Sequence, residues 1–135
     1  MADLPVASAL ASNFRFSVFK YSLDDADLFG RLDEAPALTV FAPTNLAFID
    51  IPFERRRALK ADLKESTRML QQHVIVGRLS SEQLVGTHTT LAGGKLVMQS
   101  ENGVTTVNGI AKVICAEIQT LNATVYVIDA VLASS

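Results

Sequence analysis

Thr39-Val-Phe-Ala-Pro-Thr-Asn-Leu-Ala-Phe48 is the stretch that decides the fold, because it changes from a strand pattern to a helical start within ten residues. Its first three residues are β-branched or aromatic and suit a pleated strand, and Pro43 has no amide hydrogen with which to continue a ladder. The side chain of Thr44 or Asn45 can accept a hydrogen bond from a free amide of the following turn. The stretch therefore predicts a strand that ends near Ala42, a corner and a short helix.

A second stretch, Asn122-Ala-Thr-Val-Tyr-Val-Ile-Asp-Ala-Val-Leu132, is apolar on both faces of an extended chain. A strand with two apolar faces belongs in the centre of a sheet. Asp129 interrupts the apolar run. Its carboxylate must be hydrogen-bonded or solvated, because burying it unpaired costs several kcal/mol.

These two stretches resemble the first and second signatures of fasciclin-like domains, and Leu70-Gln-Gln-His-Val-Ile-Val-Gly77 is similar to the central histidine segment of that family. The likeness spans about residues 6–132, within a single domain that we assign to residues 1–135. It implies an α+β fold, a wedge of mostly antiparallel strands packed with N-terminal helices, in which the two signatures lie side by side. Asp129 is then expected to bind groups near the first signature. The residues that the resemblance marks as structural are Thr39, Phe41, Pro43, Thr44, Asn45 and Asp129.

In the rest of the chain, the spacing of the apolar residues changes from that of helices to that of strands. Residues 6–32 have the apolar spacing of two or three short helices, and residues 53–70 have that of one longer helix. Asn102-Gly103 and Asn108-Gly109 are dipeptides that accept positive φ in tight hairpins. Two such turns close together predict an antiparallel meander.

The composition fits one globular domain, because 49% of the 135 residues are apolar and only 19% carry charge. A formal net charge of −2 favours no polyanionic partner, and nucleic acid is not expected. No apolar run is long enough to span a membrane, and the first five residues lack the pattern of a signal peptide. The resemblance implies a secreted or cell-surface location, periplasmic or extracellular in a bacterium, so we expect any signal peptide to be absent from this sequence.

The chain has few residues of the kinds that form catalytic or metal centres. It contains two histidines, one cysteine and no glycine-rich phosphate fingerprint. The sequence therefore predicts a protein that is not an enzyme and that uses no cofactor and no metal. The catalytic alternative is a pair of His73 with a Cys115 thiolate, but Cys115 lies in a mostly apolar strand, where cysteine behaves as a small hydrophobe.

By resemblance, the function is adhesion or protein interaction with a cell-surface receptor or an extracellular matrix component, and a glycan is a further candidate partner. Many fasciclin-like domains are linked to cell attachment through a Tyr-His pair and an Asp-Ile pair. Here Gln72 replaces the tyrosine, and Glu117 lengthens the acid of the second pair while keeping a carboxylate for a divalent cation. The candidate contact residues are Glu117, Ile118, His73, Val74 and Ile75. The alternatives are a structural His73 bonded to backbone and a domain that serves only as a spacer.

Four cations recur at spacings of four in the predicted helix of residues 53–70. They are Arg56, Lys60, Lys64 and Arg68. Such a row attracts anionic groups, so the alternative function is a carbohydrate or anionic-lipid binding module that uses this basic face. The other interpretation is a solvated helix surface.

Asn122-Ala-Thr124 is an N-glycosylation sequon on a predicted turn. It is a modification site only in a eukaryotic secretory pathway. The alternative is an asparagine that shapes the turn.

Overall fold

The computed structural model of the chain describes residues 4–132, with the side chains of Ala116 and Glu117 outside the description. Its seven strands are β1 Leu38–Pro43, β2 Val74–Val76, β3 Gly86–Thr89, β4 Lys95–Glu101, β5 Val104–Val107, β6 Ala111–Gln119 and β7 Ala123–Ile128. They form one sheet in the order β2-β1-β7-β6-β5-β4-β3. Only β1 and β7 pair in parallel, and every other neighbouring pair is antiparallel.

Short helices precede or interrupt the strands. They are α1 Val6–Ala11, α2 Ser17–Asp25, α3 Phe29–Glu34, α4 Asn45–Ile49, α5 Phe53–Ala61, α6 Leu63–Gln71 and α7 Ser81–Leu84, with a 3-10 turn at Phe14–Phe16. Residues of the first six helices form an apolar cluster with one face of β1 and β7, which supply Val40 and Val125. The prediction of an α+β fold with N-terminal helices on a mostly antiparallel sheet is confirmed.

The opposite face of the same two strands supports a second apolar cluster. Phe41 and Tyr126 stack there with ring centroids 5.8 Å apart, and Met98 of β4 belongs to the same cluster. Strands β1 and β7 are therefore buried along their whole length, as the two-sided apolar pattern predicts. Their register runs from Leu38 opposite Ala123 to Pro43 opposite Ile128, so the expected pairing of the two signatures is confirmed.

The corner after β1 has the predicted cap. The hydroxyl of Thr44 accepts a hydrogen bond from the amide of Ala47 at 3.4 Å and begins α4. Asn45 has a different partner: its Oδ1 accepts from the amide of Val18 at 2.9 Å, and its Nδ2 donates to the carbonyl of Phe14 at 2.8 Å. Asn45 therefore fixes the first turn of α4 to the start of α2.

The helix predicted over residues 53–70 is two helices, α5 and α6. Asp62 separates them with φ −123° and ψ 101°, outside the helical region. Its carboxylate accepts hydrogen bonds from the amides of Lys64 and Glu65 at 3.1 and 3.3 Å, which is the arrangement of an N-cap. The prediction of one helix is wrong because an acidic residue on a polar stripe can cap a new helix as well as face solvent.

The meander has the predicted turns. Asn102 and Gly103 adopt φ 54° and 80° between β4 and β5, and Asn108 and Gly109 adopt φ 53° and 66° between β5 and β6. These values lie in the left-handed region that asparagine and glycine tolerate best. The antiparallel meander is confirmed.

Asp129 does not have the expected partners near the first signature. It is exposed beyond the end of β7, where its carboxylate accepts a hydrogen bond from the amide of Lys112 at 2.7 Å. The hydroxyl of Thr39, buried in β1, instead donates to the carbonyl of Gly77 and accepts from the amide of Leu79. The prediction is wrong because β7 ends at Ile128, so the next residue turns towards the start of β6.

Candidate functional site

His73 lies fully buried between α6 and β2. Its Nδ1 is 2.8 Å from the carbonyl oxygen of Met69, and its Nε2 is 2.9 Å from the backbone nitrogen of Leu132. Because an amide N–H can only donate, Nε2 must accept; because a carbonyl can only accept, Nδ1 must carry the proton. The two backbone partners therefore fix one neutral tautomer.

Burial lowers the pKa of His73 to about 4, although its hydrogen bond to the Met69 carbonyl acts in the opposite direction. The imidazole is therefore neutral at physiological pH. The alternative of a structural histidine bonded to backbone is confirmed. Neither ring nitrogen remains available for a Cys115 thiolate, and Cys115 itself is exposed rather than packed as a small hydrophobe.

Val74 and Ile75 follow His73 in β2 and are also buried. Only Val76 of this strand is exposed, to 69%. In the folded domain, the side chains of His73, Val74 and Ile75 therefore do not reach the surface, and a direct partner contact through them conflicts with the structure. The sequence could not show this, because a short strand at a sheet edge can be covered on either face.

Gln72, which replaces the tyrosine of the family pattern, also has an internal partner. Its Oε1 accepts a hydrogen bond from the hydroxyl of Thr90 at 2.6 Å. An added Cβ at Gly94 would lie only 2.7 Å from the same oxygen, so the glycine makes room for this side chain. Gln72 thus connects the end of α6 to the loop between β3 and β4.

The other predicted contact pair lies near the end of β6. Ile118 is half-buried and packs against the apolar cluster that the first six helices form with β1 and β7. The side chain of Glu117 falls outside the described residues. The pairing of β6 with β7 shifts register between Val113 and Cys115 and again between Cys115 and Ile118. Such irregularities re-aim side chains.

Two further residues place an exposed apolar group on β6 and a positive charge beside its end. Ile114 is 51% exposed, so a large apolar side chain faces solvent on the irregular strand. The guanidinium of Arg78 donates to Oε1 of Gln119 at 3.0 Å and to the carbonyl of Thr120. These bonds hold the loop after β2, with its cation, beside the end of β6. Sequence reasoning missed Arg78, which lies 41 residues from Gln119.

Asn122 is buried, and its side chain forms hydrogen bonds with backbone groups of α1, of α3 and of the residue that follows α3. Its Oδ1 accepts from the amide of Val6 at 2.8 Å, and its Nδ2 donates to the carbonyls of Leu32 and Ala35 at 2.7 and 2.8 Å. A glycan on Nδ2 would replace one of its two hydrogens, so at least one of the bonds to Leu32 and Ala35 would be lost, and the sugar would have to fit at a buried position. Asn122 therefore has a structural role, as in the alternative to glycosylation given above. Besides shaping its turn, it holds α1 and α3 against the start of β7.

The four cations of the predicted basic row lie on two different surfaces. Arg56 and Lys60 of α5 line a groove, whereas Lys64 and Arg68 of α6 line an adjoining depression with Gln71, and Leu63 lies between the two. The break at Asp62 divides the row. A continuous basic helix face is therefore not present in this structure.

The groove lies among α2, α4, α5 and α6 and has a volume of about 570 Å³. We call it the helical groove. Its floor includes the buried side chains of Phe48, Ile51, Leu59 and Met69. Large apolar residues at its edge are exposed: Ile49 to 61%, Phe53 to 61% and Leu63 to 60%. Its residues are scattered over four short helices, so sequence periodicity did not reveal it.

Within residues 4–132, no group of three or more His, Cys, Asp or Glu side chains is placed to hold a metal ion. Among the described helices, none has both the length and the apolar character needed to cross a membrane.

Comparison with known proteins identifies similar chains. The family model described as "Fasciclin domain" matches residues 14–134. The cell surface glycolipoprotein MPB83 of Mycobacterium bovis is 39% identical over 137 aligned residues, which cover 98% of this chain and 61% of MPB83. The immunogenic protein MPT70 of Mycobacterium tuberculosis is 35% identical over 98% of this chain and 70% of that protein. The chain thus spans about three fifths of the length of MPB83.

A solved structure has the same fold. A FAS1 domain pair from the insect cell adhesion molecule fasciclin I superimposes with a TM-score of 0.71, covering 91% of this chain and 46% of that one. The two sequences are 20% identical over this match, so the likeness concerns architecture.

Proposed function

The chain belongs to the fasciclin domain family, and from this premise we propose that it is a non-catalytic adhesion or protein-interaction domain at the cell surface or in extracellular material. The observation that carries the proposal is the 39% identity, along 98% of the chain, to a protein named as a cell surface glycolipoprotein. The fold shared with an insect cell adhesion molecule agrees with this role.

The state of His73 supports the non-catalytic part of the proposal. A general base must bring a free nitrogen within hydrogen-bond reach of its substrate. Both ring nitrogens of His73 are instead used by the backbone of Met69 and Leu132, in a fully buried position. Its role is to join α6 to the segment after β7.

For the contact itself, we propose the surface of β6 from Ile114 to the end of the strand, with Glu117 and Ile118 as its centre. Three features support this location: the two register irregularities, the exposed apolar Ile114 and the anchored cation of Arg78. Apolar side chains together with charged groups at the rim are typical of protein interfaces. The proposed partner is a cell-surface receptor protein or a component of the extracellular matrix.

Cell attachment to surfaces coated with the purified domain tests this proposal. Glu117→Gln removes the charge while keeping the side-chain shape, and Ile114→Ser removes the exposed apolar group. The matched control is Glu101→Gln, which removes an exposed carboxylate at the end of β4. We expect the half-saturating coating density to rise about tenfold for the two β6 variants, as for loss of about 1.4 kcal/mol at a contact.

The control variant should attach cells as the unchanged domain does. Equal attachment by all four proteins would contradict the proposed contact surface. Attachment by none of them, with each folded by circular dichroism, would contradict the adhesion function.

A further inference from the structure

The helical groove combines a buried apolar floor with exposed apolar edges, and none of its lining residues belongs to the contact proposed on β6. Exposed large apolar side chains are ordinary when they are scattered. Here Ile49, Phe53 and Leu63 instead surround one concavity. A site of this kind is typical of small-molecule binding, for which pockets of roughly 300–1,000 Å³ lined by apolar side chains are usual.

The charge on the edge of the groove is mainly positive. Arg56, Arg57 and Lys60 of α5 line it, and one carboxylate, Asp25 of α2, faces it from the other side. Among the described residues, none of these three cations forms an ion pair, whereas the neighbouring Arg55 pairs with Glu65 at 3.0 Å. The unpaired cations favour an anionic group at this edge.

The aromatic ring of Phe53 lies in the groove lining and is also close to two of the cations at its edge. The guanidinium carbons of Arg56 and Arg57 lie 6.0 and 5.9 Å from its ring centroid. Planar guanidinium groups present paired N–H donors that match the two oxygens of a carboxylate. A ligand bound here would therefore meet carboxylate-binding donors and an apolar floor in one continuous surface.

We infer that the helical groove binds a single-chain fatty acid anion, with its carboxylate at Arg56 and Arg57 and its acyl chain over Phe48 and Met69. The volume of the groove, about 570 Å³, lies within the usual range for a small-molecule pocket, whereas a stable protein interface would have to extend well beyond it to bury about 800 Å² on each partner. The excess of cations disfavours a cationic amphiphile. This site is additional to the proposed adhesion function and does not depend on it.

Binding of laurate below its micelle-forming concentration, followed by calorimetry and by methyl NMR shifts, tests the inference. Ile49, Leu59 and Met69, which line this groove and not the depression beside Lys64, should show the largest shifts. Octanoate, decanoate and laurate should bind with rising affinity, by up to about fifteenfold for each two methylenes, until the chain outgrows the floor. Dodecylammonium, which has the same chain and the opposite charge, should bind at least about tenfold more weakly.

Matched double variants separate the groove from general surface charge. Arg56→Gln with Arg57→Gln should weaken laurate binding about tenfold, since each exposed charged contact contributes up to about 1 kcal/mol. Lys64→Gln with Arg68→Gln makes the same change in net charge on the other surface and should leave binding unaltered. Phe53→Ala, at an exposed position, should weaken binding whatever the headgroup.

Four results would overturn the inference: no laurate binding, equal affinity for dodecylammonium, equal losses in the two double variants, or NMR shifts confined to the depression beside Lys64. A fifth would reassign the groove to a protein partner. In that case an acidic amphipathic peptide would bind it and laurate would not.

Discussion

Lowering the pH should destabilise this domain through His73, the fully buried histidine between α6 and β2. The folded protein lowers the pKa of His73 to about 4, and the ordinary value of 6.5 applies once the chain unfolds. Between these values the unfolded chain binds a proton that the folded chain excludes. Stability is therefore greatest above about pH 6.5 and falls as the pH decreases towards 4.

The hydrogen bonds of His73 explain why protonation of its ring opposes folding. Protonation would place a hydrogen on Nε2, which faces the amide N–H of Leu132 at 2.9 Å, and two donors would then oppose each other. Within the window, stability changes by about 1.4 kcal/mol per pH unit. From about pH 7 to about pH 5 the loss should reach about 2 kcal/mol, and below pH 4 it should approach about 3 kcal/mol.

Urea unfolding at about pH 7 and pH 5 measures this loss directly. His73→Gln removes the titrating group and should flatten the dependence while lowering stability at both pH values. His88→Gln is the matched control: it makes the same substitution at the other histidine, whose ring is bonded to the Leu84 carbonyl, and it should keep the slope that His73 produces.

The NMR signal of the imidazole provides a second readout that needs no variant. In the folded protein, the ring protons of His73 should not titrate until the pH falls close to 4. Titration near 6.5 in the folded state, or equal free energies of unfolding at the two pH values, would refute the reasoning.

Two further changes test single side chains. Replacing Asn122 with alanine removes its hydrogen bonds to Val6, Leu32 and Ala35 and should cost about 3 kcal/mol in urea unfolding; a loss below about 1 kcal/mol would show that water replaces them. Asp62→Ala removes the cap of α6 and should cost about 1 kcal/mol, whereas Asp50→Ala, at an exposed position after α4, should cost almost nothing, and equal effects would contradict the capping role.

The sequence predicted the elements whose signals are local. Asn102-Gly103 and Asn108-Gly109 marked the meander because positive φ restricts the choice of residue, and Thr44 marked the start of α4. The pairing of β1 with β7 came from family resemblance, since no local pattern identifies strands that are distant in sequence.

Other features depended on groups that the sequence does not bring together. The backbone partner of His73 at Leu132 is 59 residues away, and Asn122 contacts Leu32 across 90 residues. Asp62 lies on a polar stripe, as a solvent-facing residue would, but it is the N-cap of α6. The helical groove needed the relative placement of four helices, which follows from packing and not from the period of any one of them.

The parallel pairing of β1 with β7 also dictates when the domain can form. Leu38 pairs with Ala123, so the centre of the sheet is incomplete until the residues of β7 have been synthesised. A growing chain exposes the apolar faces of β1 during that time, because pairings between distant segments form late and slowly. Chains that stop before β7 should therefore remain unfolded and be degraded or aggregate, and the fold should be completed only after β7 has emerged from the ribosome.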